Sequence, residues 1–244
     1  MKLSILRYII SIVIAVISFS AIAQENIPTD STSVKQVVSD SIKYKDQYGL
    51  RIGIDISKPI VYLINNDIKG FEVVADYRIK KNIYIATELG YYDRYTDEDY
   101  MNFSTTGPFI KIGANYNLYQ NWLGMSNEIY LGMRYGFSTF EHHLYEYTPN
   151  FYGTYFDEVT YEVDKVYENL NAHWVEFVVG LKVEVLNNFY MGASIAFKKM
   201  VKQKQPTNFL NMYVPGFDRV YLNDTGFGFN YTLTYAIPFF KKDK

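Results

Sequence analysis

From Gly49 onward the chain alternates apolar with polar or small residues, at a period of two, over eight separate stretches. Successive side chains of a strand point to opposite faces, so the pattern predicts strands with two unlike faces. The stretches are 49–57, 69–79, 82–92, 107–118, 127–138, 173–185, 188–199 and 225–239. One face reads Leu50, Ile52, Ile54, Ile56 in the first and Phe227, Phe229, Tyr231, Leu233, Tyr235, Ile237 in the last. The corresponding positions in 71–79, 83–91, 110–118, 129–137, 175–185 and 189–197 are likewise uncharged. The other face carries Arg51, Asp55, Glu72, Asp76, Arg78, Glu88, Lys111, Glu128, Arg134, Glu176, Lys182, Glu184 and Lys198, seven acids and six bases.

Connection lengths add topology. Short links at 80–81, 119–126 and 186–187 follow the second, fourth and sixth stretches, whereas the others are longer and 139–172 is the longest. An up-and-down barrel with both termini on one side produces this rhythm. The direction of the apolar face follows from glycine. Glycines 49, 53, 70, 90, 107, 113, 132, 136, 180, 192, 226 and 228 all fall on the charged face. An eight-stranded lumen is only wide enough for side chains to fill it, so the crowded inner wall is the glycine-bearing one. The apolar face then points outward. In water it would be an untenable greasy patch, as an inward-facing lipocalin-like barrel avoids, but in lipid it is the required surface. The expected fold is all-β: an eight-stranded antiparallel up-and-down transmembrane β-barrel, 49–240, with a closed lumen filled by paired charges.

The N-terminus extends this picture. Lys2 and Arg7 precede an apolar run from Tyr8 to Phe19, and Ala21-Ile22-Ala23 supplies a small–x–small cleavage pattern. The run is about a dozen residues, against roughly 20 for a membrane helix. Residues 1–23 therefore read as a cleaved signal peptide, 24–48 as a flexible periplasmic lead-in, and 241–244 as a tail. Without Lys2 and Arg7 the formal net charge falls from −2 to about −4, which offers no footprint for nucleic acid. The absence of cysteine excludes a lipidated-cysteine anchor, disulfides and thiolate chemistry. There are 25 Tyr and 17 Phe, residues suited to membrane interfaces and recognition surfaces. Tyr91, Tyr92, Tyr95, Tyr135, Phe137, Phe140, Trp174 and Phe227 would form an outer girdle. Tyr77, Tyr116, Tyr119, Trp122, Phe189, Phe239 and Phe240 would form an inner one.

In topology and face pattern, residues 49–240 resemble the small OmpA/OmpX-type outer-membrane barrels. The segments Tyr48-Gly-Leu-Arg-Ile-Gly-Ile-Asp-Ile-Ser-Lys-Pro59 and Gly70-Phe-Glu-Val-Val-Ala-Asp-Tyr77 are similar to uncharacterised Bacteroidetes-type outer-membrane barrels. Asp224-Thr-Gly226-Phe-Gly-Phe229-Asn-Tyr231 fits the assembly signal of such proteins, although here it sits early in the last strand and Lys241-Lys-Asp-Lys244 follow Phe239 and Phe240. The resemblance implies a bacterial outer-membrane location with periplasmic termini, lipid and lipopolysaccharide as surroundings, the barrel-assembly machinery as a partner during biogenesis, and a monomer. It carries over no catalytic residue and no cofactor.

Candidate chemistry is sparse. Glu141 and His143 share a strand face and, with His142 and His173, could hold a divalent metal, but no spacing is diagnostic. Ser138 near His142 or His143 could imitate a nucleophile–base pair, as some lipid A-modifying barrels use serine with histidine, yet no nucleophile motif surrounds it. No catalytic residue, metal site or cofactor is assigned. The segment 139–172 is the richer surface: Tyr145, Tyr147, Tyr152, Tyr155, Phe156 and Tyr161 crowd it among acidic residues, as recognition surfaces do. It would form a long extracellular loop for an unidentified ligand, or the two flanking strands would extend above the membrane as a self-packing hairpin. The function expected is non-enzymatic, envelope-structural or surface-binding, with a lipid A-modifying enzyme or a small channel as the alternatives.

Overall fold

The computed structural model describes residues 45–64, 67–119, 126–149, 159–207 and 209–243. The expected signal peptide and most of the lead-in lie outside the described residues. Eight strands form one closed antiparallel ring: β1 (Lys45–Asp55), β2 (Ile68–Lys80), β3 (Ile83–Glu98), β4 (Met101–Asn117), β5 (Glu128–Tyr147), β6 (Tyr161–Leu186), β7 (Phe189–Gln203) and, after two short strands β8 (Tyr213–Val214) and β9 (Asp218–Arg219), β10 (Thr225–Asp243). Each barrel strand pairs with its neighbours in the chain, and β1 closes the ring on β10. Each barrel strand is thereby paired on both sides up to the level where β1 ends, the condition a sheet must meet to cross lipid. No described helix is long and apolar enough to cross a membrane.

The alternation holds on every strand. On β5, Ile129, Met133 and Tyr135 are exposed while Glu128, Tyr130, Gly132, Arg134 and Gly136 are buried. On β10, Phe227, Phe229, Tyr231, Tyr235 and Ile237 are exposed. The outward apolar run from Ile129 to Phe137, at ~3.3 Å per residue and a tilt of about 40°, spans ~20 Å, close to the ~25 Å band of outer-membrane barrels. The glycines sit inside opposite large rings. Gly90 pairs with Phe109, Gly136 with Trp174 and Gly180 with Tyr130. A Cβ on Gly136 would lie 2.1 Å from the Trp174 ring, and one on Gly180 2.5 Å from Tyr130. Missing side chains on one strand thus make room for rings on the next.

Three expectations need correction. Of the two readings of 139–172, the long loop gives way to the extended hairpin: β5 and β6 stay paired out to Tyr147 opposite Tyr161. A transmembrane strand needs ~10 residues, so the 26 residues of β6 carry it well past the apolar band as one arm of a hairpin. The span expected as a loop after the third stretch, 93–106, is likewise ladder, closed by a turn between Glu98 and Met101. Polar composition alone hid these extensions, because a strand with water on its outer face needs no apolar alternation. Finally, Trp174, Tyr92 and Phe140 leave the outer girdle. Their parity matches Glu176, Gly90 and Ser138, and they are buried in the lumen at 0, 2 and 4 % exposure. Trp122 lies outside the described residues.

Two elements were not foreseen. Ser57–Ile64 forms an eight-residue helix, α1, after β1. The Asp55 carboxylate accepts the Ser57 backbone N–H (2.7 Å) and hydroxyl (2.9 Å), so it satisfies one of the free N–H groups at the start of the helix. The segment between β7 and β10, expected as a surface loop, instead dips into the barrel mouth, where β8 and β9 make a two-stranded ribbon.

Candidate functional site: the lumen and its mouth

Going from the terminus end toward the loops, the lumen is filled in layers. Arg78 stands at the terminus rim, donating to the Gln47 and Lys81 carbonyls with its guanidinium 4.9 Å from the Tyr48 ring centre. Glu184 is at the same rim, accepting the Asn188 N–H at 2.9 Å. Above them, Arg51 lies 2.6 Å from Asp76 and 2.6 Å from Glu128, the latter off hydrogen-bond geometry, and Lys182 also donates to Asp76. Tyr84 and Tyr190 flank the Arg51 guanidinium at 4.7 and 5.3 Å. The next layer joins Lys111 to Glu72 (3.1 Å) and Glu88 (2.9 Å), and Arg134 to Glu88 (3.2 Å). Asp55 accepts Asn230 Nδ2 at 2.7 Å and the Tyr231 N–H at 3.2 Å. Of the thirteen charged positions, nine are thus engaged in the interior layers, Arg78 and Glu184 mark one rim, and Glu176 and Lys198 lie at the mouth end. Alternating signs at contact distance let charges sit in a narrow, poorly hydrated lumen that would reject any one of them alone.

At the top, Lys198 ties the wall to the segment folded into the mouth. It donates to the Gly216 (2.9 Å) and Phe217 (3.2 Å) carbonyls and to Asp218 (3.0 Å), with Glu176 at 3.8 Å. Trp174 Nε1 donates to Glu176 at 2.8 Å. Val214 and Phe217 are fully buried, and Phe217 meets Trp174 edge-on at 5.9 Å. The sharp turn uses Gly216 at φ +78, where a Cβ would also strike Phe109 at 2.6 Å. A dry aromatic cap therefore sits over the salt-bridge layers. Two small spaces remain among the described lumen residues: a void of about 30 Å³ beside Arg134 and Lys182, and another of about 30 Å³ between Arg51 and the rim residues Gln47 and Arg78. Each has room for only a water or two.

The histidines do not converge. His143 points outward to Asp164 at 2.6 Å, and His173 points outward to the Tyr135 hydroxyl at 2.8 Å. His142 points inward and is fully buried above the apolar band, level with the outward polar residues Glu141 and His143. Its tautomer follows from its neighbours. Asn211 Nδ2 donates to the Lys204 carbonyl (3.0 Å), which can only accept. The Asn211 oxygen therefore faces His142 Nε2 at 3.0 Å, so Nε2 carries the proton and Nδ1 accepts from the Thr105 hydroxyl at 2.8 Å. Burial lowers the His142 pKa from 6.5 to about 4, against the raising effect of Asn211. Ser138 Oγ donates to the Pro108 carbonyl at 2.9 Å and is buried, so it is engaged away from any histidine.

The tyrosines of the extended hairpin divide. Tyr145 packs on Tyr95 at 5.8 Å and touches the Ser104 hydroxyl at 3.2 Å. Tyr147 and Tyr161 stack at 5.5 Å and are 39 and 47 % exposed. Tyr152, Tyr155 and Phe156 lie outside the described residues. Sequence reading missed Lys58 and Asp218, which join at 2.7 Å, since neither lies in an alternating stretch. Trp174 and Tyr130 share the parity of the charged positions, a signal already present in the sequence.

Among solved structures, the chain is similar to Ail, the attachment invasion locus protein of Yersinia pestis. Identity is 9%, covering 80% of this chain and 99% of that one, with TM-score 0.38. Neisserial surface protein A is similar at 12% identity, over 78% of this chain and 94% of that one, with TM-score 0.39. Ail in complex with the heparin analogue sucrose octasulfate matches at 11% identity, over 80% and 99%, with TM-score 0.34. Comparison with curated protein sequences gives no match. The family described as a domain of unknown function, DUF6048, matches residues 5–242, almost the whole of the barrel and the stretch before it, and the chain belongs to that family.

Proposed function

We propose that this chain is an integral outer-membrane protein, non-enzymatic and closed to ions, that holds a rigid recognition surface on the far side of the membrane from its termini. The observation carrying this reading is the pairing of two surfaces on one wall. Uncharged bulky side chains face outward from all eight barrel strands, and ion-paired side chains face inward. Only a hydrocarbon surrounding makes the first favourable, because exposed apolar area on this scale drives association in water. Termini in the periplasm and a monomeric state complete the proposal. The surrounding lipid and lipopolysaccharide are its constant contacts, and the assembly machinery is its partner during insertion. Its outward ligand binds at the β5–β6 hairpin, where Tyr147 and Tyr161 present exposed rings on a paired ladder.

Fractionation tests the placement. The protein should be recovered with the outer membrane, and its unboiled form should migrate faster in detergent gels than the boiled form. A mature chain that folds as a monomer in buffer without detergent would end the proposal. The non-enzymatic part is tested by mass spectra of lipid A from cells with and without the protein, which should be identical.

A further inference from the structure

The barrel wall is incomplete at one place near the mouth. β1 stops at Asp55, opposite Thr232 of β10 and Glu72 of β2. Beyond that level β10 continues to Thr225 on the side of β7, and β2 continues to Ile68 on the side of β3. The upper edges of β10 and β2 therefore diverge around a notch, and α1 bridges it. The outer surface of α1 is apolar, with Ile60, Tyr62 and Leu63 exposed at 45, 39 and 81 %. Under the helix lies a cavity of about 330 Å³, within the ~300–1,000 Å³ range of small-molecule sites.

The lining of this cavity is cationic. Lys58, Arg94 and Arg219 contribute to it, against the single carboxylate of Asp218. That carboxylate is already engaged, at 2.7 Å from Lys58 and 3.0 Å from Lys198. Arg94 lies 3.8 Å from the centre of the Tyr213 ring, and Arg219 5.8 Å from the same ring, so one buried tyrosine holds two guanidinium groups in place. Among the described residues no carboxylate comes within ion-pair distance of Arg94, and its Nε is buried without an acceptor. Arg219, 51 % exposed and 5.7 Å from the Tyr221 ring, has Glu98 as its carboxylate neighbour at 3.8 Å. Burial alone would lower the pKa of Lys58, but Asp218 outweighs it and holds the ammonium above its ordinary value. On the lateral side the cavity is edged by Phe227 and Phe229, which are 59 and 54 % exposed on the outer wall.

Arg94, with its buried Nε lacking an acceptor and its Nη1 only 3.5 Å from the Tyr92 hydroxyl, and the exposed guanidinium of Arg219, beside an outward apolar edge, match an amphiphile with an anionic head. We propose that the notch binds the phosphate headgroup of a lipid, the oxyanion meeting Arg94, Arg219 and Lys58 while the adjoining chain lies against Phe227 and Phe229. Arginine suits this role because its planar fork meets phosphate oxygens two at a time. The lipid source rests on the membrane placement proposed above, whereas the oxyanion chemistry does not.

The full chain, folded in zwitterionic detergent, is titrated in two arms: inorganic pyrophosphate, and mixed micelles containing phosphatidic acid or only phosphatidylcholine. Saturable binding of phosphatidic acid over phosphatidylcholine is expected, with weaker, salt-sensitive binding of pyrophosphate. The variant R94Q/R219Q should bind at least ~10-fold more weakly in both arms, the size of loss expected for charge-assisted hydrogen bonds. Lys202→Gln, an exposed lysine elsewhere on β7, should change nothing. A heat-modifiable band from each variant shows that it folded, and failure of that band in the parent chain would count against the membrane reading instead. Pyrophosphate binding without phosphatidic acid binding would overturn the lipid source. No saturable binding in either arm, or equal binding by R94Q/R219Q, would overturn the site.

Discussion

Inside this barrel an absent side chain is as specific as a present one. Gly136 sits directly across from Trp174, and a methyl group there would overlap the indole. Gly136→Ala should cost ~1–3 kcal/mol through overpacking, while Trp174→Ala should cost ~3–5 kcal/mol through the cavity it leaves. Combined, the two should cost less than their sum, because the smaller residue at 174 relieves the clash; urea titration of the folded, detergent-bound protein measures this coupling. His142 gives a second residue-level expectation. Its pKa is lowered to about 4 in the folded chain from 6.5, so the folded state binds its proton less readily than the unfolded one. Stability is therefore greatest above pH 6.5 and falls as the pH drops toward 4. Amide exchange around Thr105 and Leu144 should speed up across that window, and His142→Gln should flatten the dependence. The sign would be reversed if the buried imidazole were charged.

At the scale of elements, the wall was legible and the mouth was not. Every strand in the apolar band could be read because one side meets hydrocarbon and the other a crowded lumen, and each leaves a different mark at a period of two. Arg51, Glu72, Asp76, Glu88, Lys111, Glu128, Arg134 and Lys182 were placed inside from that parity alone. Above the band both faces of a strand meet water or a neighbouring hairpin, and the mark fades; hence the ladder from Thr139 to Tyr147 could be read either as loop or as an extended hairpin. Lys58 and Asp218 were hidden for another reason: a contact 160 residues apart, between a helix and a two-residue strand, has no local period. The hairpin yields a direct test. Tyr147 and Tyr161 are cross-strand partners, so replacing 148–160 by Asn-Gly should close the ladder with a two-residue turn. The shortened chain should assemble and keep its heat-modifiable band. Loss of assembly would make the hairpin part of the barrel's folding core and would remove its recognition role.

For the whole molecule, two seals stand in series along the axis. The aromatic cap of Val214, Phe217 and Trp174 closes the mouth, and the layers around Lys111 and Arg51 close the middle. Planar-bilayer recording should give no steady open level for the parent chain. Weakening only the cap, with Val214→Ala and Phe217→Ala, should also leave the barrel non-conducting, because Arg134, Lys111 and Arg51 still cross the lumen. A reproducible open level in that variant would show that the cap is the sole barrier.

The ion pairs and hydrogen bonds of the lumen also span the chain in a telling way. Lys182 reaches Asp76 across 106 positions, and Asn230 reaches Asp55 across 175. Until the final strand docks against the first, several of these groups have no counterpart and would confront hydrocarbon or a half-formed groove. A partly inserted, open sheet is thus a costly state, and its cost disappears in one step when the ring completes. The electrostatics of the hollow thus favour joint insertion of the strands, with the pairing of β10 on β1 acting as the latch.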